Sequence, residues 1–365
     1  MAAFRVGLLG TGNISPAYCD GIRDWDVLEL VGAADIIDGK ALKVAEEHGI
    51  PRVMEVDELL TSPDIDIIVN LTPPLVHAEM SLRALEAGKH VYTEKPLSVR
   101  RTDAKQVLET AAAHGLRVGS APDTFLFGQH QTVRRLIDEG AIGHPIEAVA
   151  SMAGHGPESW HPNPAFFYQN GGGPLLDMGP YYVTCLLNLL GPVRSVQAYA
   201  RISMPERSAG EPAGFQRIPV ETPTHFGGTL DFHSGPLATM VMSFDVWKHN
   251  LPLLEIYGTE GSLQVPDPNG WEPRGVFRSM HGGEWEEVPN RYAGTQRRGI
   301  GLADMAQAIL SGRPHRASGA LAYHALDVME AFFDSSSQGK RIAVESTIER
   351  PAPLPIELAP REMDA

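Results

Sequence analysis

Between residues 5 and 120 short apolar runs alternate with longer stretches of helical spacing, and few folds accept that alternation. Residues 6–9, 28–34, 65–70, 90–93 and 117–120 read as strands. Residues 40–48, 75–87 and 101–114 read as helices, two of them closed by the glycines of Ala87-Gly88 and His114-Gly115. Strand, helix and strand in succession imply a parallel sheet covered on both faces. Near residue 122 the character changes. The runs 146–152, 193–202, 226–232, 237–244 and 253–257 are β-rich and separated by Gly and Pro turns, with a helix after Asp177 and late helices at 301–311 and 320–338. That pattern predicts an open, largely antiparallel sheet with helices on one face. A chain of 365 residues also exceeds one ordinary core, so two domains are expected, 1–122 and 123–365. Residues 203–223, rich in Pro, Glu, Ser and Gly, read as an exposed loop or a mobile excursion between strands, and the tail after 350 as an extended arm.

The first apolar run ends in Gly10-Thr11-Gly12-Asn13-Ile14-Ser15 and opens a helix. This is the context of a dinucleotide fingerprint: the first two glycines make a tight turn and admit a pyrophosphate to a helix N-terminus. Serine stands where the third glycine usually packs. Asp35 closes the second strand about 20 residues on, where an acid binds adenosine ribose hydroxyls. With Asp38 close by and no basic residue before Lys40, a 2'-phosphate meets repulsion, so NAD is expected over NADP. The N-terminal domain is therefore an expected Rossmann domain. Thr72 and Pro73, in Asn70-Leu71-Thr72-Pro73-Pro74, close the next strand at the same edge, where prolines can wall a ligand crevice. His77 then faces either cofactor or water.

Glu94-Lys95-Pro96 follows a further strand end, and ligands of open α/β sheets bind outside the carboxyl ends of the strands. Lys95 therefore points toward the nicotinamide half, and Glu94 toward its ribose. Further on, Gly171 to Tyr181 reads GGGPLLDMGPY, with Asp177 and Tyr181 four residues apart. Pro180 interrupts a helix begun at Pro174 but is accommodated in the first turn of one capped by Asp177.

With Glu94-Lys95-Pro96 and this glycine-rich segment, the chain resembles the glucose-fructose oxidoreductase and inositol dehydrogenase family (Gfo/Idh/MocA) over nearly its whole length. The resemblance implies a C-terminal α+β domain with a large, mostly antiparallel sheet, serving substrate binding and homo-oligomerisation as a dimer or tetramer. It also places Asp177 and Tyr181 in the two functional positions of the second motif. Many members have histidine where Tyr181 stands; glucose-fructose oxidoreductase has tyrosine. A carbinol losing hydride to nicotinamide must also lose a proton. Tyr181 is the expected acid/base, Lys95 its activator and substrate clamp, and Asp177 the group orienting hydroxyls; Lys95 taking the proton itself is the alternative. Trp160 offers an indole face to a sugar ring, His161 an imidazole and Asp123 a carboxylate. Trp247 and the Arg297-Arg298 pair are weaker candidates.

The expected activity is NAD-dependent oxidation of a sugar, cyclitol or related polyol. Redox-neutral hydrolysis, elimination or epimerisation with retained NAD is the second reading, and a non-catalytic NAD-binding regulator the third. A formal charge of −15 with scattered basic residues argues against nucleic acid. No apolar run reaches bilayer length, and the first strand pattern begins almost at the first residue, so a cytoplasmic protein is expected. Cys19 and Cys185 lack metal or disulfide spacing, and no metal is predicted.

Overall fold

The computed structural model describes residues 3–270, 275–292, 297–359 and 361–365. The chain divides into two units: Met1–Gln131, Arg291–Tyr323 and Pro351–Ala365 form one, Thr132–Asn290 and His324–Arg350 the other. The crossing expected at 122 is thus not single, because the first unit takes back two later segments.

The first unit is built from β1 (Phe4–Leu9), α1 (Ser15–Arg23), β2 (Leu28–Ala34), α2 (Lys40–His48), α3 (Val56–Thr61), β3 (Ile67–Asn70), α4 (His77–Glu86), β4 (His90–Thr93), α5 (Arg101–His114) and β5 (Val118–Ser120). Its sheet has the order β2-β1-β3-β4-β5, and every pairing is parallel. All four residues of β3, Ile-Ile-Val-Asn, are buried, as expected of a strand covered on both faces. Strand order reverses between β1 and β3, so their C-terminal loops flank the crevice in which such sheets bind ligands.

After α6 (Gly128–Asp138) come β6 (Pro145–Ala153), α7 (Gly173–Asp177), α8 (Gly179–Leu190), β7 (Val193–Arg201), β8 (Glu206–Ser208), β9 (Arg217–Pro219), β10 (His225–Phe232), β11 (Leu237–Ser243), β12 (Leu254–Gly258), β13 (Gly261–Gln264), β14 (Val276–Met280) and β15 (Glu286–Val288). The chain ends with α9 (Ile300–Ser311), which belongs to the first unit, then α10 (Gly319–Gln338) and β16 (Ile342–Ala343). The second unit carries a nine-stranded sheet, β15-β14-β13-β12-β6-β11-β10-β7-β16, antiparallel throughout except where β11 runs parallel to β6. Every residue of α8 is buried, which fits its apolar run on all sides. Gly179 brings α8 onto Met329 of α10, and Gly228 lets Phe332 of α10 rest on the sheet.

One expectation changes and another is refined. Residues 203–223 are not a loose excursion, because β8 and β9 pair there and Ile218 and Val220 pack with Phe167, Tyr168 and Phe244 in a small core of their own. The arm after 350 is likewise fastened. The Leu354 N–H donates to Gln131 Oε1 at 2.8 Å, and Arg316 donates to Asp364 at 2.6 Å.

Candidate active site

The loop after β1 has the shape a dinucleotide needs. Gly10 has φ +92°, and a Cβ there would meet the Leu71 carbonyl carbon at 2.9 Å, so β1 and β3 close on each other through a glycine. Above Gly12 a Cβ would find nothing within 4 Å, the open approach that a pyrophosphate requires. No side chain caps the start of α1, where Ile14 is the N-cap; the Ser15 and Ala17 N–H groups already donate to the Gly12 and Ile14 carbonyls, so the N–H groups left for an anion are those of Gly12, Asn13 and Ile14 in the turn before the helix. Asn13 is exposed beside them. Ser15 is buried and folds its hydroxyl onto the Gly12 carbonyl at 2.8 Å, so the missing third glycine costs the loop no room.

Asp35 is tied into the same loop. Its carboxylate accepts from the Thr11 N–H at 2.8 Å, the Thr11 hydroxyl at 2.9 Å and the Ile37 N–H at 2.9 Å. Burial alone would raise its pKa, but these donors outweigh it and hold the acid below the ordinary carboxylate range. Thr11 therefore serves the loop through Asp35. The residues fit a dinucleotide: open space at Gly12, the turn N–H groups of residues 12–14 before α1 and a fixed carboxylate at the end of β2.

The ends of β3 and β4 hold the next group. Asn70 Oδ1 accepts from the Thr72 N–H at 3.2 Å and hydroxyl at 2.6 Å, setting the loop in which Pro73 is exposed. His77 corrects the sequence expectation. It is 1% exposed, so it does not face water, and its Nδ1 lies 2.7 Å from the Pro96 carbonyl and its Nε2 2.6 Å from the Thr72 carbonyl. The imidazole is a strut between the two loops. Burial lowers its pKa despite both carbonyls.

Glu94 is 8% exposed, accepting from the Tyr18 hydroxyl at 2.9 Å and from the Lys95 N–H at 2.9 Å, with Arg298 Nη1 3.6 Å away. It fixes the backbone of Lys95, whose peptide bond to Pro96 is cis. Asp123 is the second correction. It is fully buried, and its Oδ2 accepts from the N–H groups of Gly299 at 2.9 Å and Gly301 at 3.0 Å, at the start of α9. A carboxylate so placed anchors a returning segment. Tyr18 and Arg298 are functional neighbours that the sequence reading missed or passed over, since both lie far along the chain from Glu94.

In the second unit Asp177 is the last residue of α7, not the cap of the following helix. Met178 interrupts the two, and Pro180 stands in the first turn of α8, where no intrahelical N–H is lost. Tyr181 follows, 4% exposed, its N–H on the Met178 carbonyl at 3.1 Å. Asp177 is half-buried. Trp160 is 64% exposed and His161 half-buried, its Nδ1 accepting from the Asn163 N–H at 3.0 Å.

Residues 4–121 match the model of the oxidoreductase family with an NAD-binding Rossmann fold, and residues 130–264 match the GFO/IDH/MocA C-terminal domain. The chain belongs to the Gfo/Idh/MocA family. Among curated Gfo/Idh/MocA relatives, the 1,5-anhydro-D-fructose reductase of Ensifer adhaerens is 29% identical over 265 residues, 71% of this chain and 74% of that one. The scyllo-inositol 2-dehydrogenase (NAD(+)) of Bacillus subtilis (strain 168) is 28% identical over 265 residues, 72% and 73% of the two chains. A levoglucosan dehydrogenase in complex with NADH and levoglucosan has the same fold, with TM-score 0.78 at 21% identity over 94% of this chain and 100% of that one. The Gfo/Idh/MocA assignment makes this chain an oxidoreductase. Among the described residues no cluster of His, Cys, Asp and Glu could hold a metal ion, and no helix is long and apolar enough to cross a membrane.

Proposed function

We propose that the protein is an NAD-dependent dehydrogenase that oxidises a carbinol of a neutral sugar, cyclitol or related polyol. The observation that carries the cofactor choice is Asp35, an ionised acid fixed by Thr11 at the end of β2, with Asp38 exposed nearby. Two carboxylates there repel a 2'-phosphate and accept ribose hydroxyls. Ile36, 86% exposed beside them, offers an apolar surface to an adenine face. The named relatives act on sugars and a cyclitol, which supports the substrate class.

NAD supplies the hydride acceptor. The chain's own task is the hydroxyl proton, which we assign to Tyr181, whose phenolate takes it as general base. Lys95 provides the positive charge that favours proton loss from the phenol and clamps the reacting oxygen. Asp177 orients neighbouring hydroxyls, and Trp160 and His161 stand as the outer wall of the sugar site. Glu94 and His77 act through Lys95 and its following peptide.

Titration of both cofactors tests the first half: NAD should bind at least about tenfold more tightly than NADP, a difference of about 1.4 kcal/mol. Equal or tighter NADP binding overturns it. Turnover of scyllo-inositol, xylose and levoglucosan, followed by absorbance of reduced cofactor, tests the second.

A further inference from the structure

Three large aromatic side chains of the second unit stand in solvent: Trp160 at 64% exposure, Phe215 at 74% and Trp247 at 82%. Each forgoes the burial it would gain in a core. Loose packing is not the reason. Arg207, on β8 and 3% exposed, donates from Nε to Glu158 Oε1 at 2.8 Å and from Nη1 to Asp245 Oδ1 at 2.7 Å. Its Nη2 donates to the His155 carbonyl at 2.6 Å and the Phe244 carbonyl at 2.9 Å. One guanidinium thus fastens the segment before Trp160 to the segment before Trp247. Trp247 stacks on His155, and the Val246 N–H donates to the Gly154 carbonyl at 3.0 Å. A desolvated ion cluster is costly unless every group is satisfied, and what this one secures is the geometry of two loops that end in indoles.

Phe215 has φ +54°, a backbone state that a bulky residue seldom adopts. Its N–H donates to the Gly210 carbonyl, and the Gly210 N–H to the Glu158 carbonyl at 2.8 Å, so Phe215 and Trp160 stand on adjoining turns. His161 adds a donor. Because its Nδ1 accepts from Asn163, its proton is on Nε2, in a ring 5.5 Å from the Trp160 indole. Around these faces Ser159, Asn163, Lys248 and Asn250 are exposed and polar. Isolated ring faces framed by polar groups suit a pyranose, with its apolar C–H faces and hydroxyl edge, better than a protein surface with a continuous apolar centre. Phe166, packed on His161, runs against Gly172, immediately before α7. Asp177 lies at the far end of that helix, about 7 Å on at 1.5 Å per residue.

We propose that the Trp160 and Trp247 loops form a subsite for a second ring of the substrate, so that the substrate is a glycoside: a sugar joined through oxygen to another sugar or to an aryl group. This rests on the polyol dehydrogenase reading and deepens it. One ring oriented by Asp177 leaves these further aromatic platforms without use, whereas a ring linked to it occupies them.

Calorimetric titration of the full chain with NADH bound tests the subsite without turnover. Cellobiose, maltose, lactose and para-nitrophenyl glucoside serve as probes against free glucose and galactose. At least one glycoside should bind about 10-fold or more tighter than its free sugar. Trp160→Ala and Trp247→Ala should each remove most of that preference, and Trp160→Phe should keep it. Equal binding within every pair overturns the proposal, as does a preference that survives both alanine variants. So does a loss of oligomeric mass in light scattering with the sugar preference unchanged, which would show that a second copy covers the indoles. A protein that shows the preference yet reduces no NAD with any sugar sinks the dehydrogenase reading and leaves the subsite standing.

Discussion

At the scale of single residues, Tyr181 and His77 do different work and should fail differently. Tyr181→Phe keeps the ring and removes the hydroxyl. Turnover should fall about 100-fold or more, the usual scale of general acid/base assistance, with little change in unfolding midpoint. Near-normal kcat would make the phenol a packing group and Lys95 the leading base. His77→Ala instead removes the imidazole wedged between the Thr72 and Pro96 carbonyls inside the first unit, one of which the neutral ring's single N–H reaches. Leaving a buried carbonyl without its partner costs about 1–3 kcal/mol, so the urea midpoint should drop, and kcat should drop with it because Pro96 follows Lys95. A variant with lower stability but unchanged kcat would show that the strut does not position Lys95.

At the scale of elements, the buried arginine of β8 governs whether the 203–223 segment has structure at all. Arg207→Ala strands Glu158 and Asp245, 5% and about a tenth exposed, without their counter-charge. Breaking a buried pair from one side costs about 3–5 kcal/mol; denaturant titration should find that loss, and a midpoint equal to wild type would mean that water replaces the guanidinium. Nothing local in the sequence announces this cluster, since Arg207 and Glu158 lie 49 residues apart. Composition alone therefore made the segment look mobile. By contrast α2 occupies the residues that its apolar spacing predicts, and α5 those that its spacing and closing glycine predict, because period and cap are local signals. α3 was missed at six residues, too short to show a period. The positions of Gly10, Asp35 and Lys95 just past strand ends were legible, because the apolar runs of β1, β2 and β4 are local signals. His77 and Asp123 were misread because their partners, the Pro96 carbonyl and the N–H groups of Gly299 and Gly301, become neighbours only in the fold.

For the molecule as a whole, the same long-range pairing explains why a boundary at 122 was too simple: Asp123 recruits residues 299 and 301, and Arg316 recruits Asp364, into the first unit. It also sets how the protein responds to acid. His324, fully buried, accepts the Val193 N–H on Nε2 at 3.1 Å, so its proton is on Nδ1, directed to the Ser346 hydroxyl at 2.7 Å, which donates to Asp327 at 2.8 Å. A second ring proton would face the Val193 N–H head on. Burial pushes the His324 imidazole down to about 4, and burial lowers His77 and His315 in the same direction. An unfolded histidine titrates near ~6.5. Between those values the unfolded chain binds more protons than the folded one, so stability is complete above about 6.5 and is lost as pH falls toward about 4. For His324 alone the full loss is about 3 kcal/mol, at 1.36 kcal/mol per pKa unit. Urea midpoints should therefore hold level from pH 7.5 to about 6.5 and fall from there to pH 4.5, by most of the stability that His324 loses together with the carboxylate contributions. His324→Gln, less stable at neutral pH, should show a shallower decline over the same range. A wild-type midpoint that holds level, or a variant whose decline is as steep, would mean that His324 is protonated in the fold and that the Val193 N–H has another acceptor.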